Sequence, residues 1–292
     1  MHESFMKKYW LLVVSFILLF IAIFLIYFDW QDSHKQFTFA MLDVGQGDAL
    51  FIESPTGTQV LVDGGPPNKI LGKLQQVMSP FDRKLDAMII TNPDQDHIGG
   101  FLDVLKFYKV GELFESGTWC DSKTYQNLED EIKNKKIPDI LAKKGMRLDL
   151  GGGAVLDILF PDRDVSGWET NDGSTVVKLS YKNTSFILTG DATTKTEKLI
   201  LEDNPKSLLK SDILKVGHHG SNTSSSLEFL QAVAPTEALI SVGLNNKYGL
   251  PKQETLDKLL QIGAKIFRTD QLGTILIKCD NMGVCKTNKL KN

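Results

Sequence analysis

The chain has 292 residues, 42% hydrophobic and 24% charged, enough for one large domain or two modest ones with an ample core. A formal net charge of −3 excludes a globally basic nucleic-acid-binding protein, so such a partner would need a local basic patch. Lysine-rich stretches at 133–136, 143–144 and 286–291 read as solvated faces and a tail.

The first predicted element is "WLLVVSFILLFIAIFLIYF", residues 10–28, which carries one Ser and no charge. As a helix it would be about 28 Å long, close to the hydrocarbon thickness of a bilayer. Tyr9, Trp10, Tyr27 and Trp30 bracket it as interfacial aromatics would. Lys7 and Lys8 precede it, and Asp29 and Asp32 follow, which places the N-terminus in the cytoplasm by the positive-inside rule. Residues 1–30 are therefore expected to be a single membrane anchor, with the rest of the chain extracytoplasmic. A cleaved signal peptide is the competing reading, although no small-x-small cleavage site follows the run.

Residues 31–36 read as a linker, 37–285 as one domain and 286–292 as a tail. Within the domain, β-branched and aromatic content predicts strands at 37–43, 48–53, 58–63, 87–91, 154–160, 175–181, 184–189, 212–216, 238–242, 265–268 and 273–279. Helices are predicted at 69–78, 100–108, 123–134, 194–202, 225–233 and 252–262. Tight turns at Gly45-Gln46-Gly47, at 55–58 and at Lys182-Asn183 make hairpins, which argues against a simple parallel βαβ protein. Hairpins, then helices, then the same mixture again suggest two packed mixed sheets with helices outside, an α/β/β/α sandwich. Cys279 and Cys285 flank a turn and could be bridged or remain two thiols. Cys120 has no evident partner.

Polar residues gather at predicted strand ends. Asp43 and Asp48 flank the first turn, Asp63 ends "VLVDGG", and Asp94, Asp96 and His97 lie in "TNPDQDHIGG". Asp191 ends "FILTGD", and His218 and His219 end "KVGHHGS". One Asp after a strand is usually a turn or a helix cap. Five such clusters, holding three of the five histidines, point to a site at the sheet ends.

In order, "MLDVGQGDAL", "VLVDGG", "NPDQDHIGG", "NDGSTVVKL", "FILTGD", "KVGHHGS" and "RTDQLGTI" resemble the metallo-β-lactamase superfamily. More narrowly, they are similar to the extracytoplasmic hydrolase domain of the ComEC competence family, over residues 37–280. The resemblance implies a metallo-β-lactamase-like sandwich with a one- or two-metal hydrolytic centre. It also implies a metal-activated water, with phosphodiesters of incoming DNA as the leading substrate class. With one hydrophobic run and no multi-helix channel in this sequence, DNA passage would call for a partner membrane channel.

Carried over residue by residue, the resemblance gives Asp96, His97 and Asp191 as the catalytic centre. Asp94, Asp96, His97, Asp191, His218 and His219 supply the ligands of Zn²⁺ or Mn²⁺, either histidine of the last pair serving. Asp43, Asp48 and Asp63 would brace the metal loop, and Asn171, Asp172 and Ser174 match a turn beside it. Ser221 and Thr223 would bond a phosphate or cap the following helix, and Lys215 and Lys247 are the motif-adjacent cations of a groove. Two positions depart from the pattern: Asn92 and Leu250 stand where imidazoles are expected. One sound metal position and one doubtful one are the consequence. A catalytically impaired binding or assembly module, or a small-molecule ester or lactone hydrolase, are the alternatives to a phosphodiesterase.

Overall fold

The computed structural model describes residues 9, 10, 12–24 and 36–290. Residues 9, 10 and 12–24 are helical, but among the described residues no helix is long and apolar enough to cross a membrane. The expected span includes positions 11 and 25–28, and the expected linker positions 31–35, all of which lie outside the described residues. The segment 1–35 and the body 36–292 are separate compact units.

Fifteen strands among the described residues of the second unit form two sheets. From edge to edge the first is made of residues 285–289, 275–279, 37–41, 50–53, 59–62, 84–90, 109–115 and 139–141, and the second of 265–268, 237–240, 213–215, 184–188, 176–181, 154–160 and 147–151. In the first, β1 (Phe37–Met41), β2 (Leu50–Glu53) and β3 (Gln59–Val62) are antiparallel hairpin strands. Pairing turns parallel at β4 (Lys84–Ile90), β5 (Lys109–Glu115) and β6 (Asp139–Leu141). In the second, β7 (Arg147–Gly151), β8 (Ala154–Phe160), β9 (Val176–Tyr181) and β10 (Thr184–Leu188) are antiparallel. β11 (Ile213–Lys215), β12 (Glu237–Ile240) and β13 (Lys265–Arg268) then continue in parallel.

Alternation along each strand makes this a four-layer body. Phe37, Phe39 and Met41 of β1 face the second sheet and pack with Leu156, Leu179 and Phe186 in the middle of the sandwich. Ala40 and Phe51 point outward to a layer containing Leu74 of α1 (Ile70–Val77), Phe101 of α3 (Phe101–Phe107) and Leu128 of α4 (Lys123–Lys135). The short α2 (Gln95–Ile98) precedes α3. On the other side, Ile187 and Leu214 meet Ile200 of α5 (Thr194–Asp203), Leu209 of α6 (Lys206–Leu209), Phe229 of α7 (Leu227–Val233) and Leu259 of α8 (Gln253–Gln261). Each fully buried Phe, Leu or Ile contributes about 1.5–3 kcal/mol, which offsets the ordering of the loops between.

The sheet extends past the expected domain end. After α9 (Thr269–Leu272), β14 (Ile275–Cys279) pairs with β15 (Cys285–Lys289), so residues 286–289 are an edge strand where a tail is expected. Cys279 and Cys285 face each other across this hairpin and form a disulfide.

Candidate metal centre

Both sheets change from antiparallel to parallel pairing at their centres, and the loops leaving that region carry the site. Asp63 follows β3, residues 91–97 follow β4, Asp191 follows β10, and His218 and His219 follow β11. Gly47, in the loop between β1 and β2, has a φ of 128°, and any Cβ there would collide with the Asp96 carbonyl. The Asp48 N–H donates to that carbonyl at 3.2 Å, locking the loop that carries Asp96 against the first turn.

Two imidazoles are fully oriented. Asp63 accepts from the Thr91 N–H at 2.8 Å and from its hydroxyl at 2.5 Å, then from His97 Nδ1 at 2.8 Å. His97 Nε2 is thereby turned to Asp191 Oδ2 at 3.2 Å. His219 Nδ1 donates to the Ser241 carbonyl at 2.9 Å, which leaves its Nε2 3.6 Å from Asp191 Oδ2 and 3.4 Å from Asp96 Oδ2. Fixing one imidazole nitrogen through a carboxylate or carbonyl is how proteins orient the other toward a metal. His218 is half-buried, paired through Nδ1 with Thr223 at 2.9 Å, and its Nε2 lies 3.8 Å from the same Asp191 oxygen. Both members of the pair adopt left-handed backbone, φ 48° and 54°, which aims two successive side chains at one carboxylate.

The other face of Asp191 meets a lysine. Lys215 is fully buried, its ammonium touching Asp48 and donating to the Gly190 carbonyl at 2.7 Å, with Asp191 Oδ1 at 3.7 Å. Its expected role as a surface groove cation is therefore corrected: it is the internal counter-ion of the carboxylates. A register signal exists in the sequence, since Ile213 faces the inter-sheet core and Leu214 the outer layer, which puts Lys215 inward.

Electrostatics follow from this crowding. Burial opposes charge on His97 and His219, but the carboxylates of Asp191 and of Asp63 or Asp48 outweigh it. His97 is raised well above the ordinary histidine range and His219 to about 10. Burial likewise opposes ionisation of Asp191, yet His219, His97 and Lys215 hold it well below the usual carboxylate range. Asp96 is also lowered, through His219 and His97 against burial. Asp63 is raised by burial in spite of its bonds to His97, and Asp94 is raised by burial. His218 is lowered, chiefly by burial.

These residues fit a divalent cation. His97 Nε2, His219 Nε2 and Asp191 Oδ1 are buried and have no hydrogen-bond partner, a costly state that coordination would relieve. Asp96, His97 and His219 bring one ligand atom each within 4.8 Å of one another, as do Asp48, Asp191 and His219. Two imidazoles and two carboxylates are a donor set suited to Zn²⁺ or Mn²⁺.

The first half of the loop does something else. Asn92 is fully buried, its Nδ2 donating to Asn171 at 2.5 Å and its Oδ1 accepting from the Asp94 N–H at 2.8 Å. Asp94 is turned to Thr170, which donates to it at 3.2 Å. Leu250, at the other departure from the pattern, packs against the outer core of the second sheet. Asp43 faces Lys73 of α1 at 3.7 Å. Asp172 is a turn and helix-start residue, binding Thr193 at 2.5 Å and Lys195 at 2.9 Å. Ser174 is fully buried, its hydroxyl without a hydrogen-bond partner. Ser221 closes a local turn with the Thr223 N–H at 3.2 Å, while the cap of α7 is Ser226, which accepts from the Phe229 N–H at 3.3 Å. The Cys120 thiol is free and reaches the Pro93 carbonyl at 3.3 Å, fastening the same loop from outside.

The chain is similar to several known proteins. ComE operon protein 3 of Bacillus subtilis (strain 168) is 34% identical over 265 residues, covering 82% of this chain and 33% of that protein. Competence protein ComA of Neisseria gonorrhoeae is 27% identical over 255 residues, covering 85% of this chain and 33% of that one. The chain thus spans about a third of the length of these relatives. Among solved structures, CmlA, a diiron β-hydroxylase from Streptomyces venezuelae, shares the fold with a TM-score of 0.55 at 14% identity, covering 88% of this chain and 54% of that one. The model of the metallo-β-lactamase superfamily matches residues 42–243. With its two-sheet sandwich and its ligand cluster at the sheet ends, the chain belongs to the metallo-β-lactamase superfamily.

Proposed function

We propose that the chain is a membrane-anchored, extracytoplasmic hydrolase of phosphodiesters that uses one divalent ion held by Asp96, His97, Asp191 and His219. The observation that carries this reading is the convergence of two partnerless, buried Nε2 atoms on Asp191, each aimed by a bond to the other ring nitrogen. A bound Zn²⁺ or Mn²⁺ would supply Lewis acidity and a lowered water pKa. The chain's own groups hold the imidazoles through Asp63 and Ser241, and keep Asp191 ionised through Lys215. Asp96, whose side chain is 38% exposed and held ionised, lines the cleft, so the ion it would help hold is open to water and substrate there.

The name of one relative, Competence protein ComA, supports a nucleic-acid substrate. The apolar run at 10–28 supports the anchor, with the N-terminus cytoplasmic, and the Cys279–Cys285 disulfide suits an oxidising compartment. A partner membrane channel delivering the strand belongs to the same reading. The test is turnover of bis(p-nitrophenyl) phosphate by chelator-stripped protein reloaded with Zn²⁺ or Mn²⁺. Metal-dependent cleavage lost in Asp191→Ala is expected; cleavage indifferent to metal and to that substitution would sink the reading. Turnover of carboxylic esters or lactones alone would favour a small-molecule hydrolase.

A binding or assembly module is the second reading, favoured by the engaged amide of Asn92 and by Leu250, whose partly buried side chain packs on the core. It predicts that no ion is retained by the wild-type protein.

A further inference from the structure

A cleft of about 500 Å³ opens beside Asp96, and its walls include Gln46, Pro66, Pro67, Lys247 and Tyr248. This volume lies in the range of small-ligand sites. Because Asp96 belongs both to the cleft and to the ligand cluster, whatever fills the cleft ends at the reacting centre. Tyr248 is 54% exposed, an aromatic ring left in water, and Lys247 Nζ stands 5.1 Å from its centroid.

The loop that presents these two side chains is built to stay in place. Asn246 donates to the carbonyls of Gly243 at 3.0 Å and Leu250 at 2.8 Å, and accepts from the Leu250 N–H at 3.0 Å. Lys252 donates to the Tyr248 carbonyl at 2.8 Å. Gln46 accepts from the Gly243 N–H at 3.3 Å, tying the loop to the first turn of the domain. A fixed loop that holds an aromatic face and a cation outward is hard to explain by packing, since neither side chain contributes to a core.

Resting on the phosphodiesterase reading, we propose that this cleft is a subsite for single-stranded nucleic acid. A base stacks on Tyr248, and an adjacent backbone phosphate is met by Lys247, which brings a phosphodiester to Asp96. Stacking on an exposed ring needs an unpaired base, because in a duplex both faces of a base are already covered. One ring and one cation make a short, sequence-tolerant contact, in keeping with a net charge of −3.

The test is fluorescence anisotropy of labelled oligothymidylate with the full chain in chelator, so that binding is read without cleavage. Tyr248→Ala should weaken binding by about tenfold, with Tyr248→Phe near wild type. Lys247→Gln should weaken it and lower the magnitude of the salt slope by about 0.7. The same protein should bind the duplex of equal length more weakly. Equal binding by Tyr248→Ala and wild type, or a preference for duplex, overturns the subsite. If the variants lose binding yet no metal restores cleavage, the subsite stands and the hydrolase reading fails. If cleavage depends on metal and Asp191 while the variants bind normally, the subsite fails and the hydrolase reading stands. Thermal melting of each variant reports folding, and both side chains are exposed enough to leave it unchanged.

Discussion

Residues 92–94 and 96–97 lie in one connection, the loop after β4 and the short α2 that follows it, and have opposite chemistry. In the first half, both polar atoms of the Asn92 side chain are hydrogen-bonded within the protein, and Asp94 faces Thr170. In the second half, Asp96 and the partnerless Nε2 of His97 face Asp191 and His219. Both halves are equally polar in sequence, so polarity alone does not mark a ligand. What separates them is whether the hydrogen-bonding capacity is already satisfied. The Asn92 amide acts as a brace between this segment and Asn171.

The comparison can be broken most forcefully at Asp191. Asp191→Ala removes the anion that faces His97, His218, His219 and Lys215, leaving the buried cations only Asp48, Asp63 and Asp96 as counter-charges. Chemical denaturation of the metal-free variant should show a loss of about 3–5 kcal/mol. A loss below about 1 kcal/mol would mean that the cluster is less tightly coupled than its geometry implies.

Next in size is the effect of pH on metal binding. In the metal-free protein His97 and His219 are raised and hold protons at neutral pH, and coordination requires both to leave. Affinity should therefore rise with pH up to about 10, where His219 titrates, by as much as about a hundredfold per unit while two protons are released. The stability of the metal-free protein runs the other way. The contribution of His219 is whole below the ordinary value of 6.5 and is lost as pH rises through about 10. Calorimetric titrations in buffers of different ionisation enthalpy would count the released protons, and a count of zero would contradict the assigned ligands.

The smallest effect belongs to the brace. Asn92→Ala leaves the Asn171 oxygen and the Asp94 N–H without their partner and should cost about 1–3 kcal/mol in denaturation. Because Asn92 lies outside the proposed ligand set, metal affinity should change much less than in His97→Ala. A parallel loss of metal would erase the distinction between the two halves of the loop.

Much of this was legible in the sequence for a physical reason: the site occupies loops at strand ends, where carboxylates and histidines stand out against apolar runs. The strands at 154–160 and 265–268 match their predicted limits, the first of them sharply bounded by Gly153 and Pro161. β5 and β7 were not legible, since Gly111 and Glu112 interrupt one and exposed Arg147 and Asp149 the other. Of the site residues, Asp63, Asp96, His97, Asp191 and the histidine pair were legible as types. Which nitrogen of each histidine faces the centre was not, because that depends on Asp63 and Ser241, far apart in sequence. Lys215 departs from expectation because a lysine is seldom buried, and only the inward register of its strand and the two carboxylates it meets make the position tolerable.

The most direct measurement is the count of ions per chain by native mass spectrometry after loading with Mn²⁺ or Zn²⁺ and buffer exchange. One ion in the wild type, one in Asn92→Ala and none in Asp191→Ala is the predicted result. Two ions in the wild type, or loss of the ion in Asn92→Ala, would contradict a centre confined to Asp96, His97, Asp191 and His219.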